Sequence, residues 1–411
     1  MEPLRTSKRP QQKGYYFWYL LLISLSAFTF FRPSFLEPLY LSLPNLNNYI
    51  FLAFFFPAVP IIGRGIFRKN KYLFTTPVRL IGASIVISMI MANYFWQQSY
   101  LDSVYGALLP VCGYLFYFYL MEKAVNIKVV ERVIMIIGFA FVVLYLFCFS
   151  IYPVKLLEYK ETNDRSFLRL FLYGDGFLFL FYFLSINKFV ITRSYVWLFL
   201  AAGAILCALL NQTRVYIVAI AAITVWYFIR AKNIYLRISA VAVIVIAFLI
   251  VPQLDYIKGL QNKTQNDLGS SDEYVRIKSA KYFVNHFQPS IATRVFGNGF
   301  PNGKNSNYTR EILSLAKERG FFVQDIGLAG LYTDLGILAV LAFVMIYYRA
   351  LKVRMEPNYE YLKMYIAFLI CTSFTTDSTF SGSYVFTIAF TLYLIENAQV
   401  GAQRTYVSYA T

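Results

Sequence analysis

The sequence predicts an all-α polytopic membrane protein of about twelve transmembrane helices, with a large helical loop between spans 9 and 10. Three observations predict it. The 411 residues are 58% hydrophobic and only 14% charged, where a soluble domain carries about a quarter charged residues. The apolar residues fall in blocks of roughly 15–23, the length that crosses a bilayer as a helix. The basic residues concentrate in alternate gaps between those blocks, the pattern of cytosolic loops. A soluble enzyme with one very large core is excluded on the first two counts.

Taken in order, the spans are Tyr15–Phe31, Tyr49–Ile62, Leu80–Trp96, Val104–Met121, Val133–Tyr152, Phe171–Asn187, Ser194–Leu210, Val215–Ile229, Ile238–Val251, Ile326–Tyr348, Met364–Thr376 and Tyr384–Ile395. The basic start (Arg5, Lys8, Arg9, Lys13) runs straight into the first block, which fits an uncleaved first span rather than a signal peptide. Pro57, Pro60 and Gly63 predict a kink in the second span. The basic gaps, from Arg64–Lys71 through Lys123–Arg132, Lys188–Arg193 and Arg230–Arg237 to Arg349–Arg354, place both termini in the cytoplasm. Residues 1–411 read as one transmembrane domain. Cys112, Cys148, Cys207 and Cys371 lie inside apolar blocks and read as small packing residues. The net charge of +17 needs no nucleic-acid partner, because membrane proteins carry such charge in their loops.

Two outward loops are unusually charged. The third, 153–170, holds Lys155, Glu158, Lys160, Glu161, Asp164, Arg165 and Arg169. The fifth, 252–325, carries ten Lys or Arg. Positive charge there is not needed for orientation, so it points to an anionic partner. Within the fifth loop the sequence predicts two helices. One follows a capping-box sequence at Ser270–Glu273 and carries Tyr274, Ile277, Phe283 and Phe287 at helical spacing; it suits a membrane interface. The other begins near Tyr308 and ends at Arg319 with Gly320 as its cap. A turn-rich stretch, FGNGFPNGKNSN, separates them.

Each charged loop enters the membrane through an arginine followed, after ten residues, by a glycine: RSFLRLFLYGDG (Arg165–Gly176) and RGFFVQDIGLAG (Arg319–Gly330). The spacing arises by chance in a chain of this composition; the matching placement at two loop-to-membrane borders gives it weight. These paired segments, with FGNGF and LYTDLGIL in Phe296–Leu338, resemble the Wzy-type O-antigen polymerases and, more distantly, the O-antigen ligases. Arginine at position 319, where ligases commonly carry histidine, favours the polymerases. The resemblance implies a C-type membrane glycosyltransferase fold in the bacterial inner membrane. It implies polymerisation of undecaprenyl-pyrophosphate-linked repeat units at the periplasmic face, with lipid-linked glycan as donor and acceptor. It also admits a chain-length regulator as partner.

The residues suit that chemistry. A departing pyrophosphate concentrates negative charge, and arginine matches it with a permanently charged planar fork. No Asp-x-Asp and no metal-spaced His/Cys/carboxylate cluster occurs in the sequence, so no cofactor is expected. Arg165, Arg319, Asp325 and Asp175 are the catalytic candidates; Arg169, Arg214, Arg276, Gly176 and Gly330 are the binding candidates, with Arg294 behind them. Arg165 and Arg169 would share a face if helical. The alternative for each arginine is a solvated charge or, for Arg319, an ion pair with Asp325 or Glu318. Gly176 and Gly330 suit close helix packing. A base for the acceptor hydroxyl would come from Glu161, Asp164, Asp175, Asp325, Asp334 or Asp377. His286, the one histidine, sits in no catalytic motif. Tyr308 and Phe321 are candidates for stacking on sugar rings. A ligase, or a transporter of lipid-linked sugars, is the competing reading; a transporter would place its charges at the midplane rather than at one border.

Overall fold

The computed structural model describes residues 13–399 except 37–38, 40–41, 44–45, 70–71, 158–159, 163–168, 212, 232–233, 235–236, 239–274 and 304–305. The described residues form an all-α protein with one two-stranded hairpin. Among the described residues, six helices are long and apolar enough to cross a membrane, by length and composition.

Eleven of the twelve predicted spans are helical. They are α1 (Lys13–Ala27), α2 (Leu46–Phe55) continued by α3 (Val59–Phe67), α4 (Thr75–Trp96), α5 (Tyr100–Lys123), α6 (Ile127–Ser150), α7 (Asp175–Thr192), α8 (Tyr195–Asn211), α9 (Arg214–Arg230), and, after the long loop, three more. The ninth predicted span lies outside the described residues from position 239 onward. The predicted kink falls between α2 and α3, where Phe56–Ala58 tightens to a 3-10 turn at Pro57. Neither half alone has the length of a span; together, Leu46–Phe67, they do.

The described residues of the long loop form three helices: α10 (Val275–Asn285), α11 (Ile291–Phe296) and α12 (Asn307–Arg319). The sequence reading expects two and misses α11. That helix has a single turn and a half, too short for a periodic apolar pattern, and a reciprocal Ser290–Thr293 capping box starts it. The predicted box at 270–273 lies outside the described residues. Gly320 caps α12 as expected, in the left-handed region, its N–H on the Ala316 carbonyl. The chain closes with α13 (Leu328–Lys352), α14 (Glu360–Thr372) and α15 (Gly382–Asn397).

Two helices, α7 and α15, are apolar along most of their length on every side because they are surrounded by others, and α5 is buried mainly in its second half. From Tyr384 to Ile395 every residue of α15 is buried, against α5 and α7. The core is rich in aromatics: Phe116 meets Tyr119, Phe386 and Phe390, and Phe179 meets Tyr216 and Phe368. Cys112, Cys148 and Cys207 are buried as expected, but Cys371 is exposed on α14, which an apolar block alone cannot reveal.

α10 and α12 build a separate small core of Phe283, Phe287, Tyr308, Leu315, Val323 and Ile326. The turn-rich segment after α11 docks this unit onto the bundle. Gly336, with φ +75°, breaks α13, which takes the Thr333 and Asp334 carbonyls out of the helical ladder. The N–H of Asn298 donates to Thr333 O (3.1 Å) and that of Gly299 to Asp334 O (2.8 Å). The Asn298 amide adds bonds to Thr333 O and Gln288 Oε1, both 2.8 Å, and receives Trp96 Nε1 at 2.8 Å. A Cβ at Gly297 would strike the Asp334 backbone, and one at Gly336 the Val295 carbonyl. Only two glycines facing each other let loop and helix approach this closely.

Candidate functional site

The segment Ser373–Ser381 joins α14 to α15 and is rich in hydroxyls. Ser373, Ser378 and Thr379 are fully buried. Thr372 Oγ1 meets Ser378 Oγ at 2.9 Å, and the Tyr114 hydroxyl donates to the Thr379 carbonyl. The two arginine–glycine segments meet the chain on either side of this connector: the second touches its first residue, Ser373, and the described end of the first touches Ser383 and Tyr384 at the start of α15.

The end of the first segment reaches the start of α15, just past the connector's far end. Asp175 opens α7, and the Tyr384 hydroxyl donates to its Oδ2 at 3.0 Å. Gly174 N–H donates to Ser383 Oγ at 3.3 Å. A Cβ at Gly176 would collide with the Ser383 carbonyl. The second segment reaches its near end. Leu328 N–H donates to Ser373 O at 2.7 Å, and Gly327, with φ +51°, lets that carbonyl approach. Gly330 makes the same accommodation for the Val323 carbonyl. Both predicted glycines therefore serve close packing; Gly176 holds the first segment to the start of α15, and Gly327 holds the second to the connector.

Between these ends sits Asp377. Burial first, then the charge of Asp175 and that of Asp325, push its carboxyl up to about 6. The Tyr216 hydroxyl on α9 reaches Tyr384 and Thr376 and faces Asp175 and Asp377. Arg214, the first residue of α9, lies two positions before Tyr216. Asp377 and Asp175 are two of the six carboxylates that the sequence offers as a base; Tyr216 and Tyr384 are two tyrosines among 35, with no local signal to separate them.

Two predicted arginines stand on the loop helices. Arg276 on α10 pairs with Asp325 at 3.7 Å, both partly exposed. Arg319 ends α12 and is exposed; its guanidinium sits 5.4 Å from the centre of the Tyr282 ring. The expected alternative of an Arg319–Asp325 pair is thus replaced by Arg276–Asp325, because α10 packs against the short turn Val323–Ile326 that carries Asp325. Glu318 accepts from Ser314 Oγ at 2.8 Å.

Arg165 and Asp164 lie outside the described residues. Arg169 does not sit on a helix: Arg169–Phe171 pairs antiparallel with Lys160–Thr162, Arg169 opposite Thr162 and Glu161 opposite Leu170. Leu170 is buried, and its carbonyl accepts from the Tyr145 hydroxyl at 3.0 Å. A buried leucine between two residues of a strand follows a period of two, not four.

Asp334 is buried and accepts from the Tyr308 hydroxyl at 2.6 Å. Burial and the Asp334 charge push the Tyr308 hydroxyl well up, so it remains a donor. Tyr308 is therefore committed to Asp334 and unavailable for stacking on a sugar. Phe321 is partly exposed and packs on Tyr282. His286 and Arg294 are exposed.

One further cation escapes the sequence reading. After α1, Thr29, Phe30, Phe31 and Arg32 all have positive φ, from 47° to 62°. Each such residue costs about 1–2 kcal/mol. The turn is held by Arg32 N–H to Thr29 O (2.8 Å), Arg32 Nε to Thr29 Oγ1 (3.1 Å) and Ser34 N–H to Leu156 O (2.9 Å). It places the Arg32 guanidinium 4.4 Å from the centre of the ring of Tyr173, inside the first arginine–glycine segment. A lone arginine in a short gap gave no signal.

Among the described residues, no three of His, Cys, Asp and Glu converge so as to hold a metal ion. Comparison of the chain with protein-family models and with curated proteins yields no match.

Proposed function

We propose that this protein polymerises undecaprenyl-pyrophosphate-linked oligosaccharide repeat units at the periplasmic face of the bacterial inner membrane. One observation carries the reading: Gly174–Gly176 of the first arginine–glycine segment and Gly327–Leu328 of the second, far apart in sequence, pack on either side of one hydroxyl-rich connector, the first against Ser383 and Tyr384 at the start of α15 and the second against Ser373. Their resemblance to the paired segments of Wzy-type polymerases supports the same site.

On this reading the chain makes twelve spans, six of which have the full length, while shorter helices tilt or meet a thinned bilayer. Both termini are cytoplasmic, and 252–325 is periplasmic. The connector and the starts of α7, α9 and α15 then share the outer border. The acceptor hydroxyl attacks the anomeric carbon of the donor glycan, and the bond from that carbon to the pyrophosphate oxygen breaks. Arg165 and Arg319, with Arg169, Arg214 and Arg276, neutralise the departing pyrophosphate. Asp175, hydrogen-bonded to Tyr384, takes the acceptor's proton directly or through that hydroxyl; Asp325 holds Arg276 in place.

The test uses purified protein with a defined lipid-linked repeat unit. Dimers and longer chains are the expected products, and Arg165→Ala and Arg319→Ala abolish them while the protein stays in the membrane. A normal ladder of glycan lengths from either variant defeats the assignment of that arginine. No extension by wild-type protein defeats the function. EDTA leaves extension unchanged; a loss restored by Mg²⁺ defeats the metal-free mechanism.

A further inference from the structure

An apolar cleft lies between α8 and α9, with α7 at its back, and has space for a guest of about 200 Å³. Along α9 it is lined by Ile217, Ile220, Ala221, Thr224 and Phe228, one stripe at helical spacing. Ala208 of α8 faces this stripe. The cleft persists because alanines oppose each other where larger side chains would fill it. Its polar groups make no demand on a guest, since the Tyr182 and Thr224 hydroxyls bond each other at 2.8 Å. From Ile217 to Phe228 it runs about 16 Å along the helix, roughly half the hydrocarbon thickness of a bilayer.

At the head of this stripe stands Arg214, three residues before Ile217, in the first turn of α9. A helix start and a guanidinium together favour an anion. The next turn is divided: Tyr216 faces Asp175 and Asp377, while Ile217 faces the cleft. A molecule with one long apolar tail and a phosphate head would lay the tail along Ile217–Phe228 and present its phosphate beside the carboxylates. The cleft is one stripe wide and takes a single chain, whereas a phospholipid brings two.

We propose that the α8–α9 cleft binds the first few isoprene units, next to the head group, of a polyprenyl phosphate or pyrophosphate, with Arg214 on the head group and the rest of the tail in the bilayer. The proposal rests on the polymerase reading for the identity of the tail, and names where the donor's lipid sits. It predicts that donor enters sideways from the membrane between α8 and α9.

The test is photo-crosslinking in nanodiscs with undecaprenyl phosphate carrying a photoreactive group in its tail. Label is expected on α8 and α9 peptides, displaced by undecaprenyl phosphate and not by phosphatidylglycerol. Ala221→Trp fills the cleft and lowers labelling about tenfold or more. Val218→Trp, on the outward face where Val218 is 67% exposed, leaves labelling unchanged and controls for folding. Arg214→Ala weakens displacement by the phosphate. Label on other helices, equal displacement by phosphatidylglycerol, or full labelling of Ala221→Trp overturns the proposal. The two readings fail separately. A labelled cleft in a protein that extends no lipid-linked repeat leaves the site standing and removes the polymerase. Wild-type extension by Ala221→Trp removes the site and leaves the polymerase.

Discussion

Asp325 is paired with Arg276, 49 positions before it, and not with Arg319, six positions before it. Sequence proximity favours the second pairing; the packing of α10 on the turn Val323–Ile326 imposes the first. Because Arg276 and Asp325 are 38% and 50% exposed, the pair is screened and worth at most about 1 kcal/mol. A double-mutant cycle of Arg276→Ala and Asp325→Ala, read by thermal unfolding, is expected to show coupling below that figure. Coupling of several kcal/mol would mean that the pair is buried in the working protein.

Tyr308→Phe removes the donor to a buried carboxylate and leaves Asp334 unsatisfied. A loss of about 1–3 kcal/mol is expected, seen as a lower unfolding temperature. The double variant Tyr308→Phe, Asp334→Leu recovers part of it, because neither polar partner then remains. No recovery would assign Asp334 a role beyond accepting this bond.

Gly336→Ala should be among the most damaging single-methyl changes in the chain. The added carbon meets the Val295 carbonyl, and the residue must hold φ +75°. Overpacking of this kind costs about 1–3 kcal/mol, and left-handed strain adds about 1 kcal/mol or more. Gly63→Ala, in α3 with no atom near the new carbon, is the control and should be neutral or stabilising.

Asp377 gives a pH signature. Its carboxyl is raised from 3.8 to about 6, so between those values the folded protein holds a proton that the unfolded chain has released. Its contribution to stability is full below about pH 4 and is lost as pH rises through about 6, on the order of 3 kcal/mol in all. Asp377→Asn should flatten this slope and raise the unfolding temperature at pH 7.5. An unchanged slope would place the proton elsewhere.

The helices were legible because membrane spans announce themselves by length and composition. Eleven predicted positions are helical, and the Pro57 kink and the Gly320 cap are local signals that needed no partner. What stayed hidden is non-local. Nothing in FGNGF says that its amides will satisfy carbonyls of a helix 35 residues later. Arg169 reads as a loop residue that would share a face with Arg165 if helical, and only the pairing with Thr162 makes it a strand residue. Tyr216 and Tyr384 matter because α9 and α15 bring them together with Asp175, and tyrosines are everywhere in this chain. Asp334 looked functional as a charge inside a span, and a tyrosine 26 positions earlier accounts for it.

The docking of Asn298 and Gly299 onto the broken α13 also sets how the loop helices can move. Lifting that segment strands two carbonyls and the Asn298 amide at once, so α10–α12 and the first half of α13 behave as one mechanical piece. The break at Gly336 is then its hinge. Any displacement of the loop tilts Leu328–Leu335 with it and is passed through the Leu328–Ser373 bond to the connector that holds Asp377.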